Sequence, residues 1–113
     1  MDQSEVLKFE RAQVGTITLS EAIRQGSKIR GQSHFGMFEG GRSCAQGAAA
    51  EALGFKYNEA CSEGTAAMIF LRSKYPSCAL LGHFGPIAKR NDYSGGLMWS
   101  REKIADWLEA QGY

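Results

Sequence analysis

Proline, histidine and cysteine are all scarce in this chain, and the scarcity of cysteine limits the disulfide and metal sites that it can form. The 113 residues include two prolines, two histidines (His34 and His83) and three cysteines (Cys44, Cys61 and Cys78). An odd number of cysteines without a close pair argues against a disulfide scaffold and favours a reducing compartment. Structural zinc sites use close pairs of the Cys-x2-Cys kind, so we predict no metal and no other cofactor.

Net charge and long apolar runs are also lacking. The formal net charge is +1, which gives no general attraction to nucleic acid or to an anionic membrane. The longest apolar run, residues 66–71, is too short to cross a bilayer, and residues 1–10 are too polar for a signal peptide. We therefore expect a cytoplasmic protein that binds neither membrane nor nucleic acid.

Length and hydrophobic content predict one compact domain. Hydrophobic residues make up 43% of the chain and charged residues 22%, as in ordinary globular proteins. A chain of this length can bury one modest core. Apolar residues recur mainly at helical spacing. We predict a single domain over residues 1–113 that is mostly α-helical, with about four helices and a short β element; a small α+β fold is the alternative.

Capping residues and apolar stripes locate the four helices. The first begins at Thr18, which forms a capping box with Glu21. One face of this helix carries four apolar or small residues at i, i+3, i+4 and i+7: Leu19, Ala22, Ile23 and Gly26. The other helices are predicted at about residues 43–53, 65–75 and 100–112. The second is so rich in alanine that we expect it to lie close to its neighbours at the centre of the fold.

Several segments have no clean helical period. Residues 15–19 are an option for a short strand, and residues 31–43 form a loop with four glycines. Residues 78–89 are apolar but interrupted by glycine and proline, and the sequence does not distinguish helix from strand there. We interpret residues 88–92 as a solvated turn and residues 101–103 as an exposed helix face.

Cys44 and His34 are the candidates for catalysis. Cys44 stands at the predicted start of a helix, just after Arg42, and both the helix dipole and that cation would lower the pKa of its thiol. His34 lies ten residues upstream and could serve as the base. The alternative, which we favour, is that Cys44 packs as a small core residue, because free cysteine is among the most buried residue types.

A small anionic ligand is the second site hypothesis. The stretch "FEGGRS" places Gly40, Gly41, Arg42 and Ser43 at a helix start, with His34 upstream. Helix N-termini bind phosphate through backbone N–H groups, and glycines let the backbone approach the ligand. The spacing is not that of a phosphate-binding P-loop or of a dinucleotide fingerprint. A plain capping turn is the simpler interpretation.

Aromatic residues in or beside glycine-rich loops are candidates for protein contact. Phe35, Phe38, Tyr93 and Trp99 belong to this group. Most such side chains cover a core, but those that are exposed act as anchors for a binding partner.

Three stretches, "TLSEAIRQGSKI", "SCAQGAAAEALG" and "IAKRNDYSGGLMWSREKIADWLE", resemble blocks of a family of small uncharacterised proteins from bacteria and their phages. The resemblance covers about half of the chain and keeps the order of the blocks. It implies a non-enzymatic accessory protein of a phage or mobile element, which acts on another protein, with a component of host defence as the specific candidate. The alternatives drawn from the residues are an anionic-ligand binder and a cysteine-dependent enzyme.

The chain departs from the family pattern near its third block. The pattern has Cys-Pro-x-Cys before that block, whereas this chain has Tyr75 and Cys78 at the two cysteine positions. It also has Lys89 and Arg90 where the pattern has His-Leu before Asn-Asp. A metal site built on those positions in relatives would keep one ligand of three here, and this supports the prediction of no metal.

Overall fold

The fold follows largely from the capping residues and buried stripes of its helices. The computed structural model describes residues 17–34, 36–57, 64–92 and 96–113. The helices are α1 (Leu19–Ser27), α2 (Ala45–Ala52), α3 (Gly64–Lys74), α4 (Pro76–Leu80), α5 (Phe84–Asn91) and α6 (Arg101–Ala110), and the strands are β1 (Phe38–Glu39) and β2 (Arg42–Ser43). The prediction of a mostly helical fold with a short β element is confirmed, and the described residues form six helices where about four were expected.

α1 packs against α2 through small residues. Thr18 accepts a hydrogen bond from the Glu21 backbone N–H at 3.2 Å, as the capping box predicted. At Gly26 the two helices approach so closely that a Cβ atom there would lie 2.8 Å from the Cα of Ala48 and nearer still to its carbonyl group. Residues 45–50 of α2 are all buried. The prediction of a central, alanine-rich helix is therefore confirmed.

α6 is joined to α1 by charge as well as by apolar packing. The guanidinium of Arg24 on α1 lies 3.0 Å from Glu102, 2.7 Å from Asp106 and 2.8 Å from Glu109. These hydrogen bonds raise the pKa of Arg24, and the one to Asp106 has the largest effect. The three carboxylates are exposed, so the cluster orients the two helices and contributes only modestly to stability.

The segment that the sequence left unassigned contains most of α4 and α5. Pro76 is the first residue of α4, where its missing N–H has no helical partner to lose. Gly82, with φ 74°, follows the end of α4. Pro86 lies in the first turn of α5, where it does not interrupt the helix. Because each helix is short, neither shows a clear helical period in the sequence.

The β element lies inside the segment that was predicted as a glycine loop. β1 and β2 pair antiparallel, with Phe38 opposite Ser43. Gly40 and Gly41 connect them with φ values of 58° and 74°, as a two-residue hairpin turn requires. The option of a strand at residues 15–19 does not hold for Leu19, which is the first residue of α1; residues 1–16 lie outside the described residues.

All six described helices contribute side chains to one hydrophobic core. Its largest fully buried members include Tyr75, Tyr113, Leu19, Ile23, Leu71, Ile87, Ile104 and Leu108. In the described part of the chain, every helix is too short or too polar to cross a membrane.

Candidate functional site

Asn91 is the polar centre that connects the loop after α1 to the start of α2 and the end of α5. Its side chain is 1% exposed. Oδ1 accepts hydrogen bonds from Gln32 Nε2 at 3.0 Å and from the Ala45 backbone N–H at 3.1 Å. Nδ2 donates to the Ser33 carbonyl at 2.9 Å. The interpretation of residues 88–92 as a solvated turn was therefore wrong for Asn91, which is buried because it satisfies backbone groups that water does not reach.

The side chain of His34 forms a hydrogen bond with the backbone of Asn91. Its Nδ1 lies 2.7 Å from the Asn91 carbonyl oxygen. Since a carbonyl oxygen only accepts, Nδ1 carries the hydrogen and donates it. This contact orients the imidazole toward the end of α5. Among the described residues, no histidine forms a hydrogen bond with the Cys44 thiol.

Cys44 is the N-cap of α2, the helix that the sequence predicted to begin at about residue 43. Its Sγ accepts from the Gly47 backbone N–H at 3.4 Å, whereas Ser43 is engaged in the hairpin. Burial raises the pKa of the Cys44 thiol to about 11. The expectation of a lowered pKa was wrong because desolvation of a thiolate outweighs the favourable backbone N–H groups. Cys44 is 7% exposed, as expected for a packing residue.

We expect Cys44 to resist alkylation in the folded protein. A thiol with a pKa near 11 has only a small thiolate fraction at neutral pH, and the thiolate is the reactive form. Treatment with iodoacetamide at neutral pH, followed by peptide mass spectrometry, should leave Cys44 unmodified until the protein is denatured. Rapid modification of Cys44 in the native state would revive the hypothesis of a reactive cysteine.

A small cavity lies beside Cys44. It measures about 90 Å³ and is lined by Gly36, Met37, Cys44, Gln46, Ile87, Ala88, Asn91 and Asp92. The amide of Gln46 is committed to the Phe84 carbonyl at 2.6 Å, and that of Asn91 to the network above. The cavity is well below the size of ordinary ligand pockets, which start near roughly 300 Å³.

The residues of the predicted anion site differ in their exposure to solvent. The Ser43 hydroxyl is buried and accepts from Arg101 Nη1 at 3.0 Å. At the start of α2, the Ala45 and Gly47 N–H groups already donate to Asn91 and to the Cys44 sulfur. Arg42 is exposed on the hairpin, next to the Gly40–Gly41 turn. The Ser43 hydroxyl and the Ala45 and Gly47 N–H groups are thus engaged inside the fold, whereas Arg42 is exposed.

Arg101 was predicted on an exposed helix face, and it is instead 8% exposed. Its guanidinium donates to the carbonyls of Arg30 at 2.9 Å and Ser27 at 3.3 Å, as well as to Ser43. Burial lowers the pKa of this group. Five N–H donors in a fixed fork can satisfy several loop carbonyls at once, and this explains why an arginine is buried here.

The remaining histidine and cysteines form no metal site in the described part of the chain. No group of three or more potential ligands occurs among those residues. The described cysteines, Cys44 and Cys78, are both buried, and Cys61 lies outside the described residues. His83 Nε2 lies 2.6 Å from the Tyr113 hydroxyl, so this histidine fastens the segment that follows α6.

The aromatic residues proposed for protein contact have different environments. Phe38 is half-buried and stacks on Tyr57, with ring centroids 4.6 Å apart, and on Phe55 at 6.0 Å. Phe35 and Tyr93 lie outside the described residues. Trp99 is half-buried, at the edge of an exposed apolar segment.

That segment, residues 96–99, is fastened to the carboxyl end of α5. The N–H groups of Leu97 and Trp99 donate to the carbonyls of Lys89 and Arg90 at 3.0 and 2.7 Å. The side chains of Leu97 and Met98 are each 54% exposed. Met98 has φ 53°, a left-handed conformation that is uncommon outside glycine. The protein thus uses a strained but hydrogen-bonded backbone to hold two large apolar side chains in solvent.

Trp99 of this segment forms a cluster with Trp107 and two cations. The Arg90 guanidinium carbon lies 3.8 Å from the ring centroid of Trp107 and 5.4 Å from that of Trp99. The Lys103 ammonium lies 4.3 Å from the Trp99 ring. We name the six residues together the tryptophan surface: Leu97, Met98, Trp99, Trp107, Arg90 and Lys103. Sequence reasoning found only Trp99 among them, although two large apolar residues inside the polar stretch "RNDYSGGLMW" were an available signal.

The chain matches no protein-family model, no curated protein and no solved structure in our comparisons. The resemblance to bacterial and phage proteins therefore remains an expectation from the sequence blocks.

Proposed function

We propose that this protein acts by binding another protein through the tryptophan surface, without catalysing a reaction. The exposure of Leu97 and Met98 on a hydrogen-bonded backbone carries the proposal. A contiguous exposed apolar patch is a mark of interaction sites in folded proteins. Leu80 and Leu81 are a second adjacent pair of exposed apolar residues, so the residues around Leu97 and Met98 are what single out this surface. Tryptophan and arginine, which adjoin them here, are the residues most enriched among the strong contacts of protein interfaces.

Backbone strain at Met98 supports the proposal independently. A non-glycine residue in the left-handed region costs roughly 1 kcal/mol or more and tends to persist at functional positions. Here the strained residue has an exposed side chain, so the side chain of Met98 itself gains no burial from the strain. Presentation of the methionine to a partner accounts for both observations.

The chemistry near Cys44 favours binding over catalysis. The thiol has a raised pKa, and the adjoining cavity is small. In line with the resemblance stated from the sequence, we propose an accessory role in the cytoplasm of a bacterium, with a host protein as the partner. A component of host defence is the specific candidate.

Loss of the two exposed apolar side chains should abolish partner binding and leave the fold intact. The Leu97→Ser/Met98→Ser variant is expected to lose a host protein that the wild type captures from lysate, with a change in unfolding free energy of under ~1 kcal/mol, since both side chains are exposed. Mass spectrometry of the captured proteins and urea denaturation measure the two effects.

Two further variants sharpen that experiment. Ile69→Ser removes an apolar side chain that is 66% exposed on α3, and it should bind the partner as the wild type does. Met98→Gly relieves the left-handed strain, so it should be at least as stable as the wild type but bind more weakly. Equal capture by the wild type and the Leu97→Ser/Met98→Ser variant would refute the proposed function.

A further inference from the structure

The charges around the tryptophan surface indicate what kind of partner it takes. Lys89 and Lys103 are exposed, and Arg90 is half-buried between the two tryptophans. Among the described residues, none of these three cations forms an ion pair. The backbone carbonyl of Lys89 accepts from the Leu97 N–H, so the two residues are neighbours in the fold.

The neighbouring carboxylates are engaged elsewhere. Glu102, Asp106 and Glu109 of α6 all bind Arg24 on the side of the helix that faces α1. Lys103 follows Glu102 and Trp107 follows Asp106, and one residue along a helix is a rotation of about 100°. Lys103 and Trp107 therefore lie on a different side of α6 from the acids. The Asp92 carboxylate accepts from Asn91 Nδ2 at 3.1 Å. α6 therefore has an acidic side, where three carboxylates share one guanidinium, and a separate side that carries Lys103 and Trp107.

The guanidinium of Arg90 is oriented to bind a carboxylate. Its Nη1 donates to the Pro86 carbonyl at 3.1 Å, and its Nε is buried without a hydrogen-bond partner. Nη2 has no hydrogen-bond partner among the described residues and is not among the buried unpaired atoms. The Trp107 face holds the guanidinium plane, which limits the entropy lost when the plane meets a carboxylate. A guanidinium held in this way is a strong donor to an acidic side chain.

We propose that the tryptophan surface binds a peptide segment of the partner in which Asp or Glu residues flank a large apolar side chain. The apolar residue lies on Leu97 and Met98, and the carboxylates meet Arg90, Lys103 and Lys89. This inference rests on the proposed function, because it specifies the partner of the same surface. Charge complementarity carries it: Arg90 and Lys103 of the surface, and Lys89 next to it in the fold, form no ion pair among the described residues, and Leu97 and Met98 supply the apolar centre.

Selection from a random peptide library tests the partner chemistry directly. The library is panned on the wild-type protein after depletion on the Leu97→Ser/Met98→Ser variant. We expect the enriched peptides to combine Asp or Glu with a large apolar residue. Basic or uncharged peptides that still require Leu97 and Met98 would overturn the acidic partner but leave the docking surface in place. Failure to enrich any peptide that depends on those two residues would count against both proposals.

Intrinsic fluorescence then measures the affinity, because the only two tryptophans of the chain, Trp99 and Trp107, both lie in this surface. A tryptophan-free peptide from the selection should change their emission. Lys89→Glu/Lys103→Glu should weaken its binding by about tenfold or more, since rim charges act on association and are screened by salt. Lys28→Glu/Lys56→Glu, which changes net charge equally at exposed positions elsewhere, should stay within about twofold.

Salt and nucleic acid complete the test. In about 1 M salt the wild type and the Lys89→Glu/Lys103→Glu variant should bind the peptide with more similar affinity, because the screening length falls to about 3 Å. Equal binding by the two Lys→Glu pairs at low salt would overturn the proposal. Single-stranded DNA is titrated in parallel; quenching at lower concentration than the peptide requires would identify the surface as a nucleic-acid site instead.

Discussion

Alanine at position 26 is expected to lower the free energy of unfolding by about 3 kcal/mol, toward the upper end of the usual cost of overpacking. A Cβ atom on Gly26 would overlap the carbonyl group of Ala48, and it would lie 2.8 Å from the Cα of that residue. These are backbone atoms of a buried helix, so neither helix can yield by rotating a side chain. The α1–α2 contact would have to open. Urea denaturation followed by circular dichroism measures the loss.

Gly85→Ala is the matched control for this substitution. Gly85 also lies in a helix, α5, but apart from its chain neighbours and its own helix backbone no atom lies within 4 Å of the position that its Cβ would take. Alanine is favoured over glycine in a helix by about 0.5–1 kcal/mol, whereas Pro86 disfavours a Cβ on the residue before it in helical conformation. The two effects oppose each other, so this variant should lie within about 1 kcal/mol of the wild type. If Gly26→Ala behaved like Gly85→Ala, the close approach of α1 and α2 would be wrong.

Asn91→Ala is expected to lower the free energy of unfolding by about 2–4 kcal/mol. The change removes the acceptor of the Ala45 N–H and the donor to the Ser33 carbonyl, and each buried group left unpaired costs about 1–3 kcal/mol. Gln32 Nε2 also loses Asn91 but keeps the Trp99 carbonyl at 2.8 Å. Hydrogen exchange at Ala45 should accelerate along with the loss of global stability.

Gln111→Ala provides the comparison for Asn91. The Gln111 amide also donates to a backbone carbonyl, that of Trp107 at 3.1 Å, but the residue is exposed. Water can replace that hydrogen bond, so the variant should lie within about 0.5 kcal/mol of the wild type. Similar losses for the two variants would mean that burial is not what gives Asn91 its importance.

The site was much harder to predict from the sequence than the helices were. The anion-site hypothesis used a real helix start, but the sequence does not show that Asn91, 46 residues away from Ala45, occupies its N–H group. The prediction of a low pKa for Cys44 likewise used the local helix and Arg42, whereas burial by the whole fold determines the sign of the shift. Arg101 was taken as a surface cation because the carbonyls that surround it come from distant loops.

What the sequence by itself determined about this protein is the set of local structures. Thr18 and Ser100 begin helices because their hydroxyl groups accept from N–H groups three residues later, a contact that needs no tertiary partner. The glycine pair at 40–41 determines the hairpin turn in the same local way. Only the tertiary structure decided which polar groups are buried and which apolar side chains stay in solvent. Those outcomes depend on contacts between segments far apart in the chain, such as the hydrogen bonds of Gln32 with Asn91 and Trp99. The exposure of the tryptophan surface is one such outcome.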